Sequence, residues 1–296
     1  MRFLRQLFRI AVACPLVLLV PVLRAQNTVA DATGVTFRTD PPARRVISLV
    51  PSLTEEIYSL GAGSRIVADT TFDLYPAAAR SKPKIGSVLS PDLELIVALH
   101  PDLILASQEA TRGATIQQLR RLHLPVFVMG RTASFAQIVE CFRTLARLFG
   151  RSEAADAVVR SAEALLAAVR ARAVGRAVAV FFELNGPDLV SVNRQTFLDE
   201  ILRDAGGANV VAADPVLYPR LSREAVLRAN PTVILIANEQ ADPQGEIQSW
   251  LRFPDLAAAR SHRVFLVPSH VFAEPTPANF AAAAEITVKL LHPEAR

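Results

Sequence analysis

Cysteine is almost absent: the 296 residues hold two, Cys14 and Cys141. Cys14 falls in a segment that reads as removed on export, and the one left cannot form an internal disulfide. Cys141 sits in the apolar helical pattern IVECFRTLARLF with no histidine near it in sequence, so it reads as a small buried hydrophobe rather than a nucleophile. The chain also lacks a G-x-S-x-G elbow, a G-x-x-x-x-G-K-S phosphate loop and an H-E-x-x-H helix, which leaves nucleophile, nucleotide and zinc-hydrolase chemistry without their motifs. Five scattered histidines (His100, His123, His262, His270 and His292) cannot supply a cage of imidazoles, and no metal site is expected. His270 alone follows a strand pattern, where one imidazole can serve a large ligand as an axial group.

Positive charge is scarcer than it first looks. The formal net charge is +4, but four of the 32 basic residues precede residue 26 and no acid does, so 28 face 28 acids beyond it. Without a basic stripe there is no footprint for nucleic acid. Residues 1–25 have the form of a secretory signal peptide: Arg2, Arg5 and Arg9, then an apolar stretch over 10–23, then Ala25 at the cleavage position. The rival reading is a membrane anchor, yet about 14 apolar residues with two prolines fall short of the roughly 20 that a spanning helix needs. Export to the periplasm follows. Residues 26–43, polar and ending in Pro41-Pro42, read as a flexible leader.

What the chain has is alternation. Continuous apolar strands at 46–50, 66–68, 103–106 and 126–129 are separated by helical patterns at 55–60, 93–100, 116–122 and 135–149. Such strands are buried on both faces, which means a parallel sheet with helices on either side. A second series follows: strands at 178–182, 233–236 and 264–267, helices at 196–204, 223–229 and 279–291. SPDLELIVALHPDLILAS (90–107) and LSREAVLRANPTVILIAN (221–238) each place a glutamate seven residues before a proline that opens a strand, Glu94 with Pro101 and Glu224 with Pro231. LPVFVMG (124–130) and HRVFLVP (262–268) match in the same order, so the chain is an internal repeat. The expected fold is α/β, with two duplicated lobes, 44–150 and 175–292, of mainly parallel strands. Residues 151–174 join them as one helix, with Ala155, Val158, Val159, Ala162, Leu165, Leu166 and Val169 on a single face, Ser152 as N-cap and Gly175 beyond the end. Ligands of such a pair bind in the cleft where the strands' carboxyl ends meet.

Candidate residues are weighed against that cleft. Ser52-Leu53-Thr54-Glu55 has the form of a capping box, and the helix start it builds offers amides to an anionic group of a ligand, which makes Ser52 a candidate contact. Aromatics make up 6% of the chain, so their places matter: Phe72 and Tyr75 in TTFDLYP, Tyr218 in DPVLYPRLS, Phe272 beside His270. They pack under loops or present flat faces to a broad ligand. Glu94 and Glu224 are either first-turn acids favoured by the helix dipole or a matched pair, one per lobe. Paired carboxylates also serve glycosidases, which need them roughly 5–10 Å apart.

RVISLVPSLTEEIYSLGAGSRIVADTTFDLYP, KIGSVLSPDLELIVALHPDLILAS and GGANVVAADPVLYPRLSREAVLRANPTVILIAN together resemble the exported substrate-binding proteins of ABC importers for cobalamin and ferric siderophores, the group with two lobes joined by one helix. The likeness covers about residues 44–292. It implies a monomeric binding protein, not an enzyme, with no cofactor, a small-molecule ligand in the cleft and an inner-membrane permease dimer as partner. Glu94 and Glu224 would dock against arginines of that permease. By similarity to cobalamin binders, Phe72, Tyr75, Tyr218 and the loop from His270 through Phe272 to Glu274 would line the cleft. Val88 stands where the enteric cobalamin binder has a tryptophan, and EPTPANF lacks the arginine often found before the last helix. Few cations occur in the expected cleft loops, which favours a broad neutral corrinoid over a ferric siderophore, and haem, the other alternative, would need Tyr75, Tyr218 or His270 as axial ligand. An exported glycosidase is the alternative of another class.

Overall fold

Runs of β-branched and aliphatic residues too short for helices set two sheets, and the computed structural model describes residues 28–184, 188–237 and 242–294. The export segment 1–25 lies outside the described residues. Among them, no helix is long and apolar enough to cross a membrane.

In the N-terminal half, β1 (Thr28–Ala30) and β2 (Thr36–Arg38) form a hairpin, followed by β3 (Val46–Ser48), α1 (Pro51–Ser59), β4 (Ile66–Ala68), and the small pair β5 (Gly86–Ser87) and β6 (Ser90–Pro91). Then come α2 (Leu93–Ala98), β7 (Leu103–Ser107), α3 (Gly113–Arg121), β8 (Val126–Met129) and α4 (Phe135–Phe149). After α5 (Ser152–Arg172) the second half has β9 (Val178–Glu183), α6 (Phe197–Asp204), β10 (Gly207–Asn209), α7 (Arg223–Ala229), β11 (Val233–Ile236), α8 (Pro243–Leu251), α9 (Ala257–Arg260), β12 (Val264–Leu266), α10 (Ser269–Ala273) and α11 (Pro277–Leu291). The sheets run β4-β3-β7-β8 and β10-β9-β11-β12, with every pairing parallel. Each therefore has its half's second strand outermost, then the first, third and fourth, so the repeat seen in the sequence is a repeat of topology. Every residue of β3, β8 and β11 is buried, as strands covered on both faces must be.

The connecting helix belongs to both cores. Ala155 and Val159 pack into the first, Ala162, Leu166 and Val169 into the second. Its C-terminal arginines are tied to the second lobe, Arg170 to Asp204 at 2.7 Å and Arg172 to Glu285. At about 1.5 Å per residue it is a rod of roughly 30 Å. Its N-cap is Arg151 with no side-chain cap, one residue before the expected Ser152, and Gly175 takes φ 103° beyond Ala173.

Two local expectations are corrected. Residues 26–43 are not a loose leader over their described part: Val29 is buried, Phe37 meets Phe127 edge-on at 5.1 Å, and Asp31 is a hub. Its Oδ1 accepts from Thr33 N and Oγ1 and from Val35 N, its Oδ2 from Arg120 and from Val128 N. Against the raising effect of burial, the bonds from Thr33, Val35 and Val128 hold this carboxyl below its usual range. Asp31→Ala should lower stability by about 2 kcal/mol, because charge-assisted bonds are lost and buried amides orphaned; urea unfolding would measure it, and an unchanged midpoint would mean that the hairpin is not anchored there. The second correction is the capping box. Pro51 takes the first helical position with Val50 as N-cap, no side chain caps α1, and Glu55 reaches Asn279 of α11 at 2.9 Å instead of turning back. Proline's missing N–H and fixed φ suit that first position, so the start moves ahead of Ser52.

Candidate functional site: the cleft between the lobes

The carboxyl ends of β3, β7 and β8 open onto a cleft of about 630 Å³, closed from the other lobe by the start of α6, by Leu217 and Tyr218, and by Ala273, Glu274 and Pro275. The size falls within the range of ligand pockets, and the position is where parallel α/β sheets place them. Pro51, Leu53, Val88, Met129, Phe197 and Leu217 make much of the wall apolar.

The polar part of the wall is acidic and already organised. Glu109 accepts from Thr132 N and Oγ1, each at 3.0 Å, and pairs with Arg131 at 3.2 Å. Among the described residues lining the cleft Arg131 is the only cation, and it is paired with Glu109. Glu56 is 3% exposed, and burial, with Glu55 beside it, pushes its carboxyl well above the ordinary range. Burial pushes Glu274 up to about 8, with Glu55 and Asp73 adding repulsion and the Ser52 amide opposing. That amide is what the start of α1 was expected to offer an anionic ligand. In this structure it meets the chain's own carboxyl from the opposite lobe.

Of the six expected ligand contacts, the structure brings Ser52 and Tyr218 to the cleft wall. Burial, with Glu109 nearby, raises the Tyr218 phenol. Phe72 is 61% exposed and stands outside the wall. Tyr75 and His270, one from each lobe, stack face to face with ring centroids 4.0 Å apart and also lie outside it. Phe272 is a correction: it has no exposed surface and packs against Phe182 at 5.6 Å, because α10 turns that side of its single turn into the core. Asp69, Asp73 and Lys84 hold the Phe72–Tyr75 loop in place. Lys84 Nζ meets Asp69 at 2.6 Å and donates to the carbonyls of Asp73 and Ala79, while Asp73 accepts from Thr70 N.

Glu94 and Glu224 stand away from the cleft, exposed in the first turns of α2 and α7. Asp92 and Ser222 cap these helices through the amides of Leu95 and Ala225. Neither glutamate lines the cleft, so Glu94 and Glu224 are not a catalytic carboxylate pair in it. Among the described residues no cluster of three or more His, Cys, Asp or Glu could hold a metal ion. Sequence reasoning missed Glu56, the Glu109–Arg131–Thr132 set and the start of α6; an acid next to Glu55 in a strand-to-helix junction was the available signal for the first.

This chain belongs to the periplasmic binding protein family, whose model matches residues 46–271, and the family is one of solute-binding proteins rather than enzymes. It is 27% identical over 248 residues to the uncharacterized ABC transporter substrate-binding lipoprotein YvrC of Bacillus subtilis, covering 80% of this chain and 77% of that one. The fold is that of the periplasmic vitamin B12 binding protein BtuF of Vibrio cholerae, with a TM-score of 0.75 at 25% identity over 84% of this chain and 97% of that one. It is equally that of the periplasmic heme-binding protein RhuT of Roseiflexus, at 0.76 and 26% identity over 86% and 100%.

Proposed function

We propose that this protein is the substrate-binding component of an ABC importer, capturing a cobalamin-type corrinoid in the cleft and delivering it to the membrane permease. The observation that carries the ligand class is the charge of the wall. Among the described residues of the wall the one cation, Arg131, is held by Glu109, and the other ionisable groups include the buried Glu56 and the half-buried Glu274, both of which desolvation holds toward the neutral form. A corrinoid ringed by neutral amides meets no electrostatic penalty there, whereas the carboxylates or oxyanions of haem and ferric siderophores find no free positive partner. Similarity to a vitamin B12 binding protein supports the same reading.

Titration of the protein with cyanocobalamin, followed by absorbance or calorimetry, is expected to show a dissociation constant of about 1 μM or below. No binding at roughly 100 μM would remove this ligand. Haem is the second reading, favoured by the similarity to RhuT and by Tyr75 and His270, which would have to part to offer an axial atom. An absorbance spectrum of hemin unaltered by the protein would exclude it.

The proposal extends to organisation. Residues 1–25 direct export and are removed, 44–150 and 175–292 act as the lobes, and 151–174 is the strut between them. Glu94 and Glu224 are the permease contacts, one on each lobe. The amide of Glu224 itself and the Ser222 hydroxyl hold the Glu224 carboxyl below its usual range, so it stays ionised wherever the protein works.

A further inference from the structure

Glu56 has no counterpart for its chemistry anywhere in the cleft wall. Its side chain is 3% exposed and its Oε2 has no hydrogen-bond partner, although it sits on the inner face of α1 among the residues that line the cleft. Glu55, the next residue on the same helix, is another acid. From α4 it faces the thiol of Cys141, which burial and Glu56 together push up to about 12. Arg131 belongs to Glu109, and Glu274 approaches from the other lobe as a third acid. A buried polar atom left unpaired costs about 1–3 kcal/mol, and an ionised one more. The chain gives Oε2 no partner, and Glu56 is a lining residue of the cleft, so a ligand held there is the nearest source of one.

We propose that Glu56 is a specificity-determining residue of the cleft, whose unpartnered carboxyl pairs head to head with a primary amide of the ligand. This rests on the reading that the cleft is the ligand site. Three chemistries compete for the position, and two fail on what surrounds it. An anionic group would find Arg131, the one cation among the described residues of the wall, already paired with Glu109. A cationic group would require Glu56 to ionise while buried beside Glu55, with no hydrogen bond to its Oε2 to help. An undissociated carboxyl is both donor and acceptor. It gives its O–H to an amide oxygen and accepts the amide N–H, so both groups are satisfied without net charge.

The test compares wild type with Glu56→Gln and Glu56→Leu. Glutamine keeps shape, donor and acceptor. Cyanocobalamin affinity should therefore stay within about threefold for Gln and fall at least about tenfold for Leu, the fold-change of one unmade buried bond. Thermal melting checks folding, and Leu is expected to melt no lower than wild type because it removes an unsatisfied group. Equal binding by the Leu variant, or a loss in the Gln variant as large as in Leu, overturns the proposal. A second readout does not depend on the ligand: the infrared difference between empty wild type and Glu56→Gln at pH 7 should contain a carboxylic acid C=O band. If cyanocobalamin fails to bind but that band is present, the corrinoid reading falls while the undissociated state of Glu56, on which its role depends, is supported; if the band is missing, the role of Glu56 falls whatever binds.

Discussion

Replacing Glu94 and Glu224 together by arginine is expected to cut ligand uptake by at least about tenfold while moving the isolated protein's ligand affinity by less than about twofold. The two glutamates occupy the same place in their lobes: second residue of the helix, after a side-chain cap, exposed, seven residues before the proline that leads into the next strand. Neither touches the cleft wall, so affinity has no route to change. If the two glutamates dock on arginines of the permease as proposed, reversing both signs turns two attractions into repulsions, which chiefly slows productive encounter. Either single reversal should give an intermediate loss. Uptake by cells, or transport by the complex in vesicles, measures one quantity, and titration of the purified protein measures the other. A parallel fall in affinity would show that the glutamates act on the ligand.

Raising the pH from 5 to 9 is expected to destabilise the empty protein, through Glu274 and, with the same sign, through Glu56, whose carboxyl burial also pushes well above the ordinary range. The carboxyl has an ordinary value of 4.5 and is pushed to about 8 in the folded chain by burial and by Glu55 and Asp73. Below 4.5 both states hold the proton and pH has no effect. Between 4.5 and 8 the unfolded chain has released it and the folded chain has not, so stability falls as pH rises, by up to about 1.4 kcal/mol per unit, and levels off above 8. Partial exposure reduces this, and a total of about 2–4 kcal/mol is reasonable. Glu183, raised to about 7 by burial against its bond from Trp250, and Asp69, raised to about 6 by burial despite Lys84, act with the same sign. Asp31, held low, is ionised in both states across this range and contributes no slope. Calorimetry should show a melting temperature roughly 5–10 °C lower at pH 9 than at pH 5, with Glu274→Gln removing part of the difference. A flat or rising profile in the unaltered protein would contradict the buried, proton-bearing state of Glu274.

The sheets were legible because strands buried on both faces are written as uninterrupted apolar runs, and the repeat because Glu94 and Glu224 keep the same spacing to Pro101 and Pro231. The site was less so. Ser52 looked like a cap because hydroxyl and acid spacing is a local signal, whereas Pro51 decided the helix start and Glu274, more than 200 residues away, took the Ser52 amide. Asp31 and Arg120 anchor the leader through contacts between segments 89 residues apart, which composition cannot show. Helix α8 went unread although it carries the largest buried side chain, Trp250, whose Nε1 donates to Glu183 and whose face is covered by Arg223 at 4.4 Å. Glu56 and Phe272 fail in opposite directions, an acid inside and an aromatic withdrawn, because a single turn of rotation on a short helix decides which side meets the cleft.

Helix α5 shares its length between two hydrophobic cores, and this limits what a partner can learn from touching the outside. A lobe cannot swing far without pulling Ala155 and Val159, or Leu166 and Val169, out of their packing. On that packing, the separation of Glu94 and Glu224 is expected to behave as a ruler of nearly fixed length, changing little between a full and an empty cleft. Recognition of the cargo is left to groups at the mouth of the cleft, where Tyr218 lies on the wall and the Tyr75–His270 stack bridges the two lobes.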